Sequence, residues 1–169
     1  MGNDLKTLIL DANAIERKLQ RIARQIIEHH WNEDAALLIG VAGRGEEMMN
    51  RLHRILAEIS EGDIHTGVIS LDKDDPLGSP ISFLGMDPKA IAGMPVVLVD
   101  DVLNSGRTLI HAAKAILDHA PKTLSTAVLI DRFHRSFPIR ADFCGLTLST
   151  NLKEHISVVF GKEDAAYLD

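Results

Sequence analysis

The chain has almost no cysteine and no long apolar run. Cys144 is the only cysteine among 169 residues, which excludes an internal disulfide and a zinc site built from several cysteines. The longest strongly apolar stretch, residues 35–42, is too short to cross a bilayer. The sequence also opens without a signal-peptide pattern, so we expect a protein of the cytoplasm.

Composition and charge narrow the class of protein further. Apolar residues make up 46% of the chain and charged residues 25%, which is typical of a globular protein and not of a disordered one. The length suits one domain covering residues 1–169. A net charge of -6 argues against nucleic-acid binding driven by bulk charge, although a local basic patch remains compatible with it.

Apolar strand patterns alternate with helical ones along the sequence, which predicts an α/β fold with a mainly parallel sheet flanked by helices. Ligands of such folds gather at the carboxyl ends of the strands. Three polar clusters stand where predicted strands end: Gly43-Arg44-Gly45, the segment 100–108, and Asp131-Arg132.

The most informative segment is 96–108, where four apolar residues run into Asp100 and Asp101 and then into a small-residue loop that opens an amphipathic stretch. Ionised carboxylates accept hydrogen bonds, and a vicinal diol offers two donors at matching spacing. Both carboxylates converge on one ligand only if the chain changes direction there. The backbone amides of 104–108 suit a phosphate at a helix N-terminus. This combination predicts a phosphorylated sugar as ligand. The alternative is a solvated turn with ordinary helix capping.

The segment 96–108 resembles the motif by which type I phosphoribosyltransferases bind phosphoribosyl pyrophosphate (PRPP). That resemblance implies the family's fold, a mainly parallel central sheet with a small hood region. It also implies that Asp100 and Asp101 contact the ribose hydroxyls and act in catalysis together with Arg44. The residues that it implies for PRPP binding are Gly43, Arg44, Gly45, Lys73, Asp100, Asp101, Val102, Leu103, Asn104, Ser105, Gly106, Arg107 and Thr108.

A second stretch, 128–143, closely resembles the pyrimidine operon attenuation regulator and uracil phosphoribosyltransferase family, with the pattern Asp-Arg-x-His-Arg-x-x-Pro-Ile-Arg-Ala-Asp. The likeness also covers 17–28 and 149–151. It implies that this C-terminal region lines a pyrimidine pocket. We therefore predict base contacts from Arg132, Phe133, His134 and Phe137.

Two departures from the family pattern bear on the rate of reaction. The family's pyrophosphate loop commonly reads Lys-Thr-Arg-Gly, whereas this chain has Ala42-Gly43-Arg44-Gly45 and so keeps the arginine but not the lysine. The family also has a mobile loop that closes over the donor and is longer and richer in basic residues. The corresponding segment here, 72–80, is shorter and keeps Lys73 with the carboxylates of Asp74 and Asp75. Fewer cations around a departing pyrophosphate predict slower catalysis.

The resemblance implies an enzyme that transfers the 5-phosphoribosyl group from PRPP to a nucleobase, for which we predict uracil. It also implies Mg²⁺ held mainly through PRPP, and a homodimer or larger assembly. One alternative is an RNA-binding regulator that senses nucleotides through the same pocket. Another is a sensor that binds PRPP or a nucleotide without turnover. The basic residues of the RNA alternative are Arg17, Lys18, Arg21 and Arg24, for which a solvated helix face is an equally good explanation.

The adjacent histidines do not predict a metal site, and the cysteine does not predict a nucleophile. His29 and His30 are adjacent, so they do not share a helix face, and we predict no metal ligands of the protein's own. Cys144 lies in an apolar, strand-like segment and reads as a small buried hydrophobe.

Overall fold

The computed structural model describes residues 6–30 and 32–169, which form nine strands and three α-helices. A short 3₁₀ turn, Pro88–Ile91, precedes the fifth strand. The elements in chain order are β1 (Thr7–Leu10), α1 (Ala12–His29), β2 (Ala35–Val41), α2 (Arg44–Ile59), β3 (Asp63–Ser70), β4 (Ser82–Leu84), β5 (Pro95–Leu103), α3 (Arg107–Leu117), β6 (Thr123–Asp131), β7 (Phe143–Thr147), β8 (Ile156–Val159) and β9 (Ala165–Leu168).

The main sheet has six strands in the order β4-β3-β2-β5-β6-β7. Its strands run parallel except β4, which pairs antiparallel with β3 at one edge. The central strand β5 is buried along all nine of its residues, as a strand covered on both faces must be. The predicted mainly parallel α/β sheet is confirmed. The sequence pattern of 81–84 also predicts a short strand, which the structure has as β4.

The helices form where apolar residues recur at helical spacing behind a suitable cap. The Asp11 carboxylate accepts a hydrogen bond from the Ala14 amide at 2.7 Å and caps the first turn of α1, which satisfies a donor that the helix leaves free. The buried stripe of α1 includes Ile15, Leu19 and Ile22. This stripe packs on the sheet and on α2.

The two faces of the main sheet carry separate apolar clusters. Val97 and Val99 of β5 pack on the side of α1 and α2, whereas Val96 and Leu98 pack on the side of α3. Such alternation follows from the two-residue period of a strand. Cys144 is half-buried against the α3-side cluster, in agreement with its predicted packing role.

A second, antiparallel sheet of three strands has the order β1-β9-β8. It joins the two ends of the chain, since Thr7 pairs with Leu168. The sequence pattern of 5–10 predicts a first strand, which the structure has from Thr7 onward, and residue 5 lies outside the described residues. The small hood region that the resemblance implies corresponds to this sheet.

None of the helices within residues 6–30 and 32–169 combines the length and the apolar character needed to span a membrane.

Candidate active site

The three predicted polar clusters lie at one edge of the main sheet. They follow β2, β5 and β6, which are neighbours in the order β2-β5-β6 and run parallel. The carboxyl ends of these strands therefore meet at the same edge, which is where ligands of open α/β sheets bind.

Asp100 and Asp101 form a buried acidic pair at the centre of that edge, with 3% and 6% of their surfaces exposed. The Asp101 amide donates to Asp100 Oδ1 at 2.9 Å. Across this pair the side-chain alternation of β5 is interrupted, because Val99 and Val102 both pack on the α1 and α2 side. The strand itself continues to Leu103, so the expected change of chain direction at the pair is wrong, and the side chains change facing within the strand instead.

Burial makes the acidic pair expensive to ionise twice. Burial first, and then the neighbouring Asp101 carboxylate, raise the pKa of Asp100 to about 8. Both causes act against a second negative charge in a poorly solvated place. A hydrogen-bond donor or a cation placed beside the pair would favour its charged form.

The loop after β5 exposes backbone donors in front of α3. Gly106 adopts φ 87°, in the left-handed region, at the N-terminal cap of the helix. The amides of Ser105, Gly106 and Thr108 find no hydrogen-bond acceptor within the described chain. Together with Asp100, the backbone of 102–109 lines a small concavity. Free amides at a helix N-terminus are an anion-binding arrangement.

The loop after β2 contacts the acidic pair directly. A Cβ built on Gly45 would lie 3.0 Å from Asp100 Oδ1 and 2.9 Å from the Val99 carbonyl oxygen, so only glycine fits between α2 and β5. Gly43 has φ 92° and precedes the helix, while Arg44 is its exposed first residue. The structure thus brings the two predicted loops into one crevice.

Lys73 reaches the same carboxylate from the loop 72–80. Its Nζ lies 3.9 Å from Asp100 Oδ1, and its positive charge opposes the rise in the pKa of Asp100. The loop is shaped by its own side chains, because Asp72 Oδ1 accepts from the Asp74 and Asp75 amides at 2.9 and 3.1 Å. Lys73 therefore lies next to the acidic pair.

Behind the acidic pair, β6 ends in an ion pair. Arg135 donates to both carboxylate oxygens of Asp131, at 2.8 and 2.7 Å. Burial opposes ionisation of Asp131, but the hydrogen bonds from Arg135 and from the Phe133 amide lower the pKa of this carboxyl below its usual value. A bidentate pair of this kind fixes the path of the chain after the strand.

Arg132 is the most heavily engaged side chain of this segment, with 9% of its surface exposed. Nε donates to Thr150 Oγ1 at 3.1 Å, and Nη1 donates to Asn104 Oδ1 at 3.0 Å. Nη2 donates to the carbonyl oxygens of Asn151, at 3.4 Å, and Glu154. His134 Nε2 also contacts the Thr150 carbonyl oxygen. These acceptors lie far along the chain, and local sequence patterns carry no signal for them.

The two predicted phenylalanines differ in exposure. Phe133 is 69% exposed and adopts φ 64°, a conformation that bulky residues rarely take. Its ring lies 5.9 Å from the Arg135 guanidinium carbon. Phe137 is half-buried, and its amide donates to the Ser105 carbonyl oxygen at 3.1 Å, which ties the segment to the loop after β5.

The basic residues of α1 divide into two groups. Arg21 donates to the carbonyl oxygens of Cys144 and Gly145, at 2.8 and 2.5 Å, and so covers the edge strand β7. Arg17 and Arg24 are exposed, and Lys18 is half-buried.

The predicted structural role of the histidine pair agrees with its contacts. The His29 ring meets those of His30 and Phe143 edge to face, with centroids 4.7 and 5.6 Å apart. Within residues 6–30 and 32–169, no three side chains of His, Cys, Asp or Glu are grouped so as to hold a metal ion.

Comparisons with known proteins agree with this geometry. The family model described as phosphoribosyl transferase domain matches residues 7–162. A Geobacter sulfurreducens protein named Bifunctional protein PyrR is 41% identical over 160 residues, covering 91% of this chain and 90% of its own. The Macrococcus caseolyticus protein of the same name is 38% identical, with 94% of each chain covered. A Bacillus anthracis hypoxanthine-guanine phosphoribosyltransferase structure has a TM-score of 0.74 at 23% identity, covering 89% of this chain and 85% of its own, and thus shares the fold.

Proposed function

The chain belongs to the phosphoribosyl transferase domain family, and from that premise we propose that it transfers the 5-phosphoribosyl group of PRPP to uracil and releases pyrophosphate. The observation that carries the proposal is the buried Asp100-Asp101 pair beside the amides of Ser105, Gly106 and Thr108, which have no acceptor in the described chain. Carboxylates suit the ribose hydroxyls, and amides at a helix N-terminus suit the 5-phosphate.

The reaction replaces one bond at the ribose C1 carbon with another. A ring nitrogen of uracil forms a bond to C1 as the bond from C1 to the pyrophosphate oxygen breaks. Pyrophosphate leaves with the electron pair, and the nitrogen loses its proton to water. Positive charge develops on the ribose in the transition state, and the acidic pair stabilises it.

Arg44 and Lys73 are the cations that we propose for the leaving pyrophosphate. Arg44 is exposed at the start of α2, and Lys73 lies near Asp100 on a separate loop. Because Arg44 begins α2 and Lys73 belongs to the loop 72–80, we assign them to different ends of the pyrophosphate group. A guanidinium and an ammonium both stabilise phosphate charge, the former with fixed geometry.

Mg²⁺ is proposed to enter mainly as a complex with PRPP. The Asp100 and Asp101 carboxylates supply hard oxygen ligands of the kind that Mg²⁺ prefers, and they adjoin the loop proposed for the phosphate, so the residues present fit such a complex. When bound, the cation neutralises charge on the departing pyrophosphate.

The base side is proposed to be the segment 132–137. The exposed Phe133 ring offers an apolar face for a heterocycle. Phe137 lies next to the loop 104–108, since its amide donates to the Ser105 carbonyl oxygen. His134 is held through the Thr150 carbonyl oxygen, which orients its ring. The choice of uracil rests on the resemblance of 128–143 to the uracil phosphoribosyltransferase family.

The test is a base screen. Purified protein with Mg²⁺ and PRPP is offered uracil and a panel of other bases, and pyrophosphate release and nucleotide formation are measured. We expect UMP from uracil. Product from another base and none from uracil would overturn the choice of base. Mg²⁺-dependent PRPP binding by calorimetry without turnover on any base would instead identify a sensor.

A second candidate function, RNA-binding regulation of pyrimidine genes, is favoured by the exposed Arg17 and Arg24 on α1. The relatives' printed name, which calls them bifunctional, also supports a second activity. Arg21 contributes less, since its guanidinium is bonded to β7.

The RNA proposal is tested by a gel shift on leader transcripts of the cell's own pyrimidine genes. We expect a shift that weakens with salt, because phosphate contacts release counterions. The variant carrying Arg17→Gln and Arg24→Gln is expected to lose it, whereas Arg54→Gln, an exposed arginine on α2, is the matched control. No shift near physiological salt removes this candidate.

We also propose that the protein works in the cytoplasm as a homodimer or larger assembly, as the resemblance implies. Light scattering on the purified full chain gives the mass in solution, and a monomer at micromolar concentration would contradict the proposed assembly.

A further inference from the structure

Arg132 is a buried cation near the crevice that is held by hydrogen bonds and not by an ion pair. Its guanidinium donates to an amide oxygen, a hydroxyl and two carbonyl oxygens. None of the carboxylates in the described part of the chain forms a salt bridge with it. Arg135, three residues later, is fully paired with Asp131. A buried guanidinium satisfied only by neutral acceptors keeps its positive field.

The same side chain joins two segments that are remote in sequence. Nη1 holds the Asn104 side chain at the start of the loop 104–108, and the Arg132 amide donates to the Leu103 carbonyl oxygen at 3.0 Å. Nε and Nη2 hold the turn 150–154. The turn is itself closed, since the Asn151 amide donates to Glu154 Oε2 at 2.7 Å.

We propose that Arg132 is a positioning residue for the donor phosphate, acting through Asn104 and through its unneutralised charge, and that the turn 150–154 supports it from behind. The proposal rests on the proposed function, in which the loop 104–108 binds the 5-phosphate. It gives Arg132 a role toward the donor, because four of its five N–H groups already donate to protein acceptors, one of them in the loop 104–108.

Two substitutions separate the charge from the geometry. Arg132→Gln keeps an amide donor for Asn104 but removes the charge, and Arg132→Lys keeps the charge but cannot reach all four acceptors at once. Arg140→Gln is the matched control, since Arg140 lies in the same segment with 86% of its side chain exposed. Asn104→Ala removes the link from the other side.

The first measurement is the dissociation constant of PRPP with Mg²⁺, taken by calorimetry on the full chain. We expect Arg132→Gln to weaken binding about tenfold, as loss of one nearby charge at intermediate dielectric does, and Arg132→Lys to weaken it less. The double variant Arg132→Gln with Asn104→Ala should weaken PRPP binding by less than the product of the two single fold-changes, because both substitutions break the same hydrogen bond. The Michaelis constant for PRPP should rise with kcat at saturating PRPP nearly unchanged.

The second measurement is amide hydrogen exchange of 104–108 in the ligand-free protein, which does not depend on the proposed function. Arg132→Gln should speed exchange there, and Arg140→Gln should not. Unchanged PRPP affinity together with unchanged exchange in Arg132→Gln overturns the proposal. If the wild-type chain neither binds PRPP nor forms product, the proposed function fails, and exchange alone decides whether Arg132 orders the loop.

Should Arg132→Gln fail to fold, Thr150→Val carries the test, because it removes the acceptor of Nε and leaves the charge in place. Faster exchange in 104–108 with about threefold weaker PRPP binding is expected. Exchange confined to 150–154, with the loop 104–108 as in the wild type, would overturn the support that we assign to the turn.

Discussion

The segments that follow β5 and β6 lie side by side at the same edge of the sheet and use their polar groups in opposite ways. After β5, the amides of Ser105, Gly106 and Thr108 remain without acceptors in the part of the chain that the structure describes. After β6, Arg132 donates to four protein acceptors, and Arg135 donates to both carboxylate oxygens of Asp131.

This difference separates binding groups from supporting groups. Buried polar groups are normally paired within the protein, so donors left free around a concavity are the ones available to a ligand. The segment after β6 instead fixes the shape of its neighbour, since the Ser136 and Phe137 amides both donate to the Ser105 carbonyl oxygen, at 2.9 and 3.1 Å. Substitutions after β5 should therefore remove contacts to the ligand, whereas substitutions after β6 should disturb the shape of the neighbouring loop.

The largest effect is expected at the acidic pair. Asp100→Asn and Asp101→Asn each should lower kcat/KM by about 100-fold, because a hydrogen bond to an ionised group contributes roughly 1.5–3 kcal/mol and the developing positive charge loses its stabilisation. UMP formation from PRPP and uracil is the measurement. Asp118→Asn, an exposed carboxylate at the end of α3, is the control. Activity within about threefold of the wild type in both pair variants would contradict the contrast between the two segments.

The second effect is a pH dependence that belongs to the β5 side. The folded protein holds the Asp100 proton up to about pH 8, whereas the unfolded chain releases it near pH 4. The free energy of unfolding should therefore fall, through this group, as pH rises between those values. PRPP affinity should rise over the same range, because ribose hydroxyls need an ionised acceptor. Asp100→Asn should flatten the stability profile measured by denaturant titration, and an unaltered profile would be inconsistent with it.

The third effect concerns the close approach of Gly45, in the first turn of α2, to the acidic pair. Gly45→Ala forces a Cβ against the Val99 carbonyl oxygen and Asp100 Oδ1, and overpacking of this kind costs about 1–3 kcal/mol. Both the free energy of unfolding and kcat/KM should fall. Gly161→Ala meets no atom within 4 Å and is the control. Equal stability of the two variants would mean that α2 can shift away from β5 freely.

The smallest effect is expected at Phe133, whose exposed ring sets it apart from the bonded side chains of the segment after β6. Phe133→Gly should raise the free energy of unfolding by up to about 1 kcal/mol. Phe133 has φ 64°, and glycine adopts this angle without the steric cost that a phenylalanine side chain carries. The same change removes the exposed ring and should raise the Michaelis constant for uracil but not for PRPP. Thermal melts and steady-state kinetics test the two halves. A variant that melts lower and binds uracil unchanged would assign the ring a packing role.

The β5 side was predictable because its information is contiguous. An apolar run, two carboxylates and a loop with Gly106 occupy thirteen successive residues, so strand, turn and helix start follow from local rules. The buried stripe of α1 and its Asp11 cap were accessible for the same reason. The expected change of chain direction at Asp100 and Asp101 was wrong, because β5 continues to Leu103 and its side-chain alternation is interrupted inside the strand, which local strand rules do not predict.

The β6 side was less predictable because its contacts cross the chain. The partners of Arg132 lie 18 to 28 residues away, and those of Arg21 lie more than 120 away. No local pattern marks such pairs, so the resemblance alone put Arg132 among the base contacts. The pairing of Thr7 with Leu168 likewise depends on how the whole chain closes, and strands β8 and β9 are short and weakly patterned.

That pairing in the small sheet has a practical consequence for engineering. With Thr7 opposite Leu168, a short linker can connect the two ends of the described chain, and new ends can be opened in the exposed turn at Gly161 and Lys162 between β8 and β9. Exposed turns tolerate such cuts well. The resulting circular permutant would start with β9 and keep the order of the main sheet, so that reporters fused at the new ends would sit in the small sheet rather than on the strands that carry the crevice.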